Sequence, residues 1–377
     1  MKTLSDFNFK NKIVLLRTDL NSNVVNGKVL PSERIEKSAQ TILELKRKKA
    51  KIIVIAHQGR PGKSDFLSLK QHAKILNKYT KIKFIPDTVG EKAKKAIQNL
   101  KSGNAILLEN LRFLKEEFHP GKNKLVKFFL NFNDITYVND AFSICHRKQT
   151  SIVSFPKYMP NCAGRLLEKE ITALKKVQLK RCLYILGGAK PEDNLILLKK
   201  NKVLACGLFG QLCTIAKGKN LGAQNKYLKK EIKNYSNVLK KLKNKLKNVQ
   251  TPLDFAVKVK GKRKEILLEQ FPSKYEIFDI GEKTQELFKK EIRKARTIYM
   301  KGPAGFSSDK QFAKGTFEIL KTIAQNKGYS IIGGGHLSDA IEKSKIPKIK
   351  FNHISLSGGA LLNYIAGKKL PGLEVLK

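Results

Sequence analysis

The basic residues of this chain are overwhelmingly lysine, yet arginines recur at one kind of position, just after an apolar run. Asp19 and Asn21 follow "KIVLLRT", while "HQGR" brings His57 and Arg60 after "KIIVIA". "LENLRF" brings Arg112, "NDAFSICHR" brings His146 and Arg147, and Arg34 opens a helical pattern in "PSERIEKS". A guanidinium is a planar fork that grips phosphate or carboxylate through two parallel hydrogen bonds, which an ammonium cannot reproduce. Gathered together, Arg34, Arg60, Arg112 and Arg147 would line a pocket for a small, doubly anionic substrate, with Asp19 and Asn21 holding a hydroxyl. Scattered, they would be ordinary surface arginines.

The second half places glycines where the first places arginines. Gly187 and Gly188 precede Lys190 and a helix expected from Pro191, and "KGPAG" supplies Gly302, Pro303 and Gly305. "IIGGGH" supplies Gly333, Gly334, Gly335 and His336, and "SLSGGALL" supplies Gly358 and Gly359 before a final helix. None of these loops is a G-x-x-x-x-G-K-[ST] P-loop or a G-x-G-x-x-G dinucleotide fingerprint. Their expected task is to lay nucleotide phosphates along helix N-termini, reinforced by Lys190. An anion pocket paired with a nucleotide-phosphate site suggests phosphoryl transfer, with domain closure to exclude water.

Positioning such loops requires strands that end level. The first half alternates "KIVLLRT", "KIIVIA", "IKFI", "AILL" and "ITYV" with helix-period segments such as Ser32 to Lys48 and Glu91 to Leu100. A helical stretch, "LLEKEITALKKVQ" from Leu166, leads to a second series: "CLYIL", "VLA", "TIYM", "SII" and "HIS". "FAVKVKGKRKEILLEQF" interrupts that series and reads as a β-hairpin. Continuous apolar strands separated by helices imply parallel sheets covered on both faces, with ligands beyond the strands' carboxyl ends. The expected fold class is α/β: two doubly wound, Rossmann-like parallel-sheet domains joined by a hinge helix, with a cleft between them.

The bulk numbers bound the function. A net charge of +45 on 377 residues is what a nucleic-acid binder would show. The densest run, "LKKLKNKLKN", nevertheless keeps Leu239, Leu242 and Leu246 at helical spacing, the pattern of a solvated helix with one buried stripe. Non-specific attraction to polyanions at low salt is the expected residue of that charge. Five cysteines without a C-x-x-C pair point to reduced thiols, and the absence of a long apolar run or an apolar leader points to a cytoplasmic protein without membrane association.

Taken in order, "RTDLNSN", "AHQGRPG", "LLENLRF", "VNDAF", "ILGGAK", "DIGEKT", "KGPAG", "IIGGG" and "HISLSGGALLNYIAGKKLPGLEVL" resemble the phosphoglycerate kinase family along essentially the whole chain. "HRKQTSIVSFP" and "NCAGRLLEKE" look most like its archaeal branch. The resemblance implies reversible phosphoryl transfer between ATP and 3-phosphoglycerate, giving ADP and 1,3-bisphosphoglycerate, with Mg2+ on the nucleotide. It implies 3-phosphoglycerate contacts by Asp19, Asn21, Arg34, His57, Arg60, Arg112 and Arg147, and nucleotide contacts by Gly187, Gly188, Lys190, Gly207, Pro303, Gly333, Gly334, Gly335 and His336. Arg34, Lys190, Gly358 and Gly359 would neutralise the moving phosphoryl group, and Asp193 would accompany the metal. It also divides the chain into a substrate domain at 1–164 joined by 357–377, a hinge helix at 165–178 and a nucleotide domain at 179–356.

Several positions depart from that pattern. Asn194 stands where many members have a second lysine, Lys301 replaces the Asn before Gly-Pro, and Ser308 replaces an acid associated with the ribose. His336 stands where an Asp is common, which leaves Asp193 and the phosphates to hold the metal, with Asp339 as a weaker helper. A basic nucleic-acid-binding protein and an inactive kinase paralogue are the alternative readings. A monomer is expected, with a dimer as the other possibility.

Overall fold

A strand that is apolar on both faces, as "KIVLL" is, becomes stable only inside a sheet covered by helices on both sides. The computed structural model, which describes residues 1–376, contains two such sheets. The first comprises β1 (Ile13–Arg17), β2 (Lys51–Ile55), β3 (Lys83–Phe84), β4 (Ala105–Leu107), β5 (Ile135–Asn139) and β6 (Asn161–Ala163). These six strands run parallel in the order β3-β4-β2-β1-β5-β6. Ile13 pairs with both Lys51 and Ile135, and Arg17 with both Ile55 and Asn139, so the three central strands end level. Helix Glu33–Arg47 covers this sheet through a stripe of Ile35, Ala39, Ile42 and Leu45, with acids in its first turn and bases in its last.

The second sheet is built from β7 (Leu183–Leu186), β8 (Val203–Ala205) and β9 (Val249–Gln250). A small antiparallel sheet of β10 (Asp254–Val259), β11 (Lys262–Leu267) and β12 (Ile277–Ile280) follows in the chain. The large sheet then resumes with β13 (Thr297–Lys301), β14 (Tyr329–Gly333) and β15 (His353–Ser355), in the parallel order β9-β8-β7-β13-β14-β15. The hairpin expected from Phe255 is present as β10 and β11. Among the strands of these three sheets, three were not expected. β6 and β9 carry only three and two residues, too few to show a period of their own, and β12 joins a hairpin that looks complete without it.

The chain divides into two compact units, Met1–Thr172 with the residues from Gly367, and Ala173–Ala366. The division falls inside helix Arg165–Lys175, and helix Gly359–Ile365 belongs with the second unit rather than with the returning segment that was expected to begin at 357. Lys199 donates its Nζ to the Ala366 carbonyl at 2.8 Å, which ties that helix to its own unit. The last turns return to the first unit through the Gly372 amide on the Cys145 carbonyl at 2.9 Å. Lys377, the end of the expected segment, lies outside the described residues.

Helix Tyr235–Lys243 buries Val238 and Leu242 and leaves its lysines in solvent, so this run is a solvated face. All five cysteines are buried free thiols. No helix among the described residues is long and apolar enough to cross a membrane.

Candidate functional site

Because β1, β2 and β5 end level, the residues that follow them emerge at one edge of the first sheet. Asp19 is buried there, and its Oδ2 receives Arg34 Nη1 at 3.1 Å and the Ser143 hydroxyl. Burial works to raise this carboxyl, but the Arg34 guanidinium and the hydrogen bonds from Ser143 and the Asn21 amide hold it down at about 2. Asn21 Oδ1 accepts the Gly59 amide at 2.9 Å, which joins the loops after β1 and β2. His57 is buried, and its Nδ1 accepts from Arg17 Nη2 at 3.0 Å, leaving the ring proton on Nε2. Burial, reinforced by the Arg17 charge, keeps that ring well below the ordinary histidine range, so it is neutral at physiological pH.

The arginines converge on the same edge. Arg112 is buried and donates Nη1 to the Gly59 carbonyl, while its Nε and Nη2 have no partner among the described residues. Arg147 Nε is also buried and unpartnered. Burial, then the charges of Arg17 and Arg147, push the Arg112 guanidinium down to about 10, and burial together with Arg60 lowers Arg147. Arg60 itself is exposed, yet near enough for both to feel its charge. Buried cationic N–H groups without acceptors are costly, and an oxyanion placed among them supplies what they lack.

Sequence reasoning missed Arg17 and Glu117. Arg17 ends β1 fully buried, with Nε on Ser151 Oγ at 2.9 Å, and Ser151 in turn donates its amide and hydroxyl to Glu117 at 2.9 and 2.7 Å. An arginine closing an otherwise apolar strand was the available signal for Arg17. Glu117 had none, since "KEEF" does not distinguish it from Glu116.

The second unit holds a cleft of about 470 Å³ at the carboxyl edge of its sheet, lined by Gly188, Gly207, Leu208, Pro303, Ser308 and His336 among others. It brings together residues expected from four separate loops. The glycines work differently from the expectation. The amides of Gly187, Gly188 and Gly207 are already committed to the carbonyls of Lys301, Pro303 and Ala304 at 2.8, 2.9 and 2.9 Å, so they are not free phosphate donors. Their role is close approach: a Cβ on Gly302 would meet Gly187 and Gly188 backbone atoms at 2.7 Å. Gly333 is a packing residue too, since it is buried at the end of β14 and a Cβ there would meet Leu361 Cδ2 at 2.6 Å. Gly334 and Gly335 form the open part of that loop, and His336 is exposed in the first turn of helix Gly335–Ser344. Gly358 and Gly359 are exposed at the start of helix Gly359–Ile365.

The helix expected from Pro191 is a 3₁₀-helix, Pro191–Leu197, whose buried residues Pro191, Asn194 and Leu197 recur every three positions as that geometry demands. Lys190 caps it and is exposed. Lys301, at the end of β13, donates Nζ to Asn194 Oδ1 at 2.9 Å and lies 3.6 Å from Asp193 Oδ2. A cation from the neighbouring strand therefore occupies the place beside Asn194. Burial lowers the Lys301 ammonium and Asp193 opposes that effect. Ser308 lines the cleft, whereas Asp309 is turned to Lys258 at 3.4 Å, and the carboxylate lining the cleft is Glu276, which sequence reasoning did not single out.

The family model for phosphoglycerate kinase matches residues 4–368. The chain is 36% identical to the phosphoglycerate kinase of Methanothermus fervidus, covering 100% of this chain and 96% of the relative. It is 39% identical to that of Pyrococcus furiosus, covering 100% and 97%. The crystal structure of phosphoglycerate kinase from Pyrococcus horikoshii OT3 superposes with a TM-score of 0.91 at 37% identity, over 100% of this chain and 98% of that one. The Coxiella burnetii phosphoglycerate kinase gives 0.80 at 30% identity, over 99% and 98%. With two six-stranded parallel sheets, an arginine-lined anion site and a nucleoside-sized cleft already in view, these matches mean that the chain belongs to the phosphoglycerate kinase family and is a phosphotransferase.

Proposed function

We propose that this chain transfers a phosphoryl group reversibly between ATP and 3-phosphoglycerate, giving ADP and 1,3-bisphosphoglycerate, with the work divided between its two units. The carrying observation is the set of buried Arg112 and Arg147 nitrogens that have no partner among the described residues. In this reading Arg60, Arg112 and Arg147 hold the stable phosphate of the glycerate. Asp19, ionised at any working pH, and neutral His57 with its Nε2–H accept from and donate to the substrate's hydroxyl and carboxyl groups, with Asn21 bracing the loop. The acceptor carboxylate of 3-phosphoglycerate is already ionised, so no general base is required. Positioning and charge neutralisation remain, and they are the protein's main contributions to phosphoryl transfer.

In the first unit Arg34 would neutralise charge on the acceptor, and in the second Lys190, Lys301 and the Gly358–Gly359 backbone would neutralise charge on the nucleotide phosphates. The base and sugar occupy the cleft of Gly188, Gly207, Pro303 and His336. Magnesium fits the donor set. Among the described residues there is no cluster of three metal-binding side chains, but Asp193 offers one carboxylate, about half exposed, and Mg2+ is commonly held by one or two carboxylates together with substrate phosphates. Asp193 would hold it, and when bound it would supply positive charge at the nucleotide phosphates. Asp339 is an exposed helix residue. We place the protein in the cytoplasm as a monomer, without a specific nucleic-acid partner.

The test is Arg34→Ala in a coupled assay with 3-phosphoglycerate, magnesium and ATP. Loss of one aimed donor should lower turnover by about 10²–10³ with nucleotide affinity nearly unchanged. Unchanged turnover removes Arg34 from the mechanism, and absence of turnover in the wild type with both ligands still bound favours an inactive paralogue.

A further inference from the structure

The cleft of the second unit contains a polar network that the phosphoryl chemistry does not use. Gln211, in helix Gly207–Ala216, and Gln224, in helix Ala223–Glu231, are both buried and both line the cleft. A side-chain amide donates at one end and accepts at the other, and its partners decide which end meets a ligand. Here a backbone group makes that decision. The Ile277 N–H can only donate, and it lies 2.8 Å from Gln224 Oε1. Gln224 Nε2 must then point the other way, where it donates to Gln211 Oε1 at 2.7 Å. The acceptor end of Gln211 is thereby occupied, and its Nε2 has no acceptor among the described residues.

We propose that Gln211 is a specificity-determining residue whose Nε2 donates to a lone-pair ring nitrogen, N3 or N7, of a purine base in this cleft. The assignment rests on reading the cleft as the nucleoside pocket. Ile277 and Phe306 make much of the neighbouring wall apolar, so a base nitrogen entering it loses water and gains a directed donor in exchange. Adenine and guanine both carry lone pairs at N3 and N7, so this contact admits either purine and discriminates against a base that lacks the nitrogen it reads. The direction of the donor is held by two residues distant in sequence, and a ligand does not need to reorient it.

Atomic substitution in the ligand tests this directly. Calorimetric titration of the full-length protein with ATP, 7-deaza-ATP and 3-deaza-ATP should find one analogue binding about five- to tenfold more weakly than ATP, the value of one hydrogen bond. In Gln211→Leu that analogue and ATP should bind alike. Gln211→Glu, which presents an acceptor where the wild type presents a donor, should weaken ATP further than Gln211→Leu. Equal binding of all three nucleotides to the wild type overturns the assignment, as does an analogue effect that persists in Gln211→Leu. The wild-type comparison stands by itself should a variant fail to fold. No ATP binding at all overturns the nucleotide reading together with this one, whereas equal binding of the analogues overturns this one alone.

Discussion

Arg112→Met separates binding from stability in opposite directions. The wild-type guanidinium is buried beside Arg17, Arg60 and Arg147, and its pKa is pushed down to about 10. At 1.36 kcal/mol per pKa unit, carrying that charge in the ligand-free protein costs about 3 kcal/mol. Methionine keeps much of the stem's packing and removes the charge, but it also forfeits the hydrogen bond to the Gly59 carbonyl, worth about 1.5–3 kcal/mol for a charged donor. The net expectation is a variant as stable as the wild type or more stable by up to about 1.5 kcal/mol in urea unfolding, in buffer free of phosphate and sulfate. Binding moves the other way. Nε and Nη2, the two unpartnered nitrogens, would each lose a charge-assisted bond to the substrate's phosphate, so affinity for 3-phosphoglycerate should fall by about 10²–10³. Added inorganic phosphate should stabilise the wild type and have little effect on the variant. A variant less stable than wild type without anions, or one that binds 3-phosphoglycerate within about threefold of wild type, refutes the argument that this arginine is held strained for an anion.

Two further expectations concern stability. His72 is buried, with Nε2 on Gln58 Oε1 at 3.0 Å and Nδ1 without a partner among the described residues, and burial pushes its pKa to about 4. Because the folded value lies below the ordinary 6.5, its contribution is complete above pH 6.5 and is lost as the pH falls toward 4. His72→Asn should flatten the decline in unfolding free energy between pH 7 and 5 by about 2 kcal/mol, and an unchanged decline would exclude it as the source. Gly302→Ala places a Cβ at φ +74° against backbone atoms at 2.7 Å, which cannot rotate away. A loss of about 2–4 kcal/mol in denaturant unfolding is expected, with weakened nucleotide binding and unchanged 3-phosphoglycerate binding, and an unaltered midpoint would show that the two loops are not packed as described.

Alternation of apolar runs with helical segments was enough to read two parallel sheets, and the rule that ligands sit beyond strand ends was enough to single out Asp19, His57, Arg112 and Arg147 at one edge and the glycine loops at another. Those readings depend on position along the chain, which the sequence contains directly. What each group can do depends on partners far away in sequence. Arg17 reaches Ser151 across 134 positions, and Lys301 reaches Asn194 across 107. Neither pairing has a local pattern, so neither was legible.

The glycines show the same division most clearly. Sequence placed them between strand and helix, where free amides could cradle phosphate, but only the packed loops decide that the Gly187 and Gly188 amides already serve the carbonyls of Lys301 and Pro303. Family and fold class were determined by the sequence alone, because spacing and ordered motifs survive without coordinates. Charge states, the occupation of hydrogen-bonding groups and the direction in which Gln211 donates were decided by the tertiary structure, because each depends on burial and on neighbours that folding alone brings together.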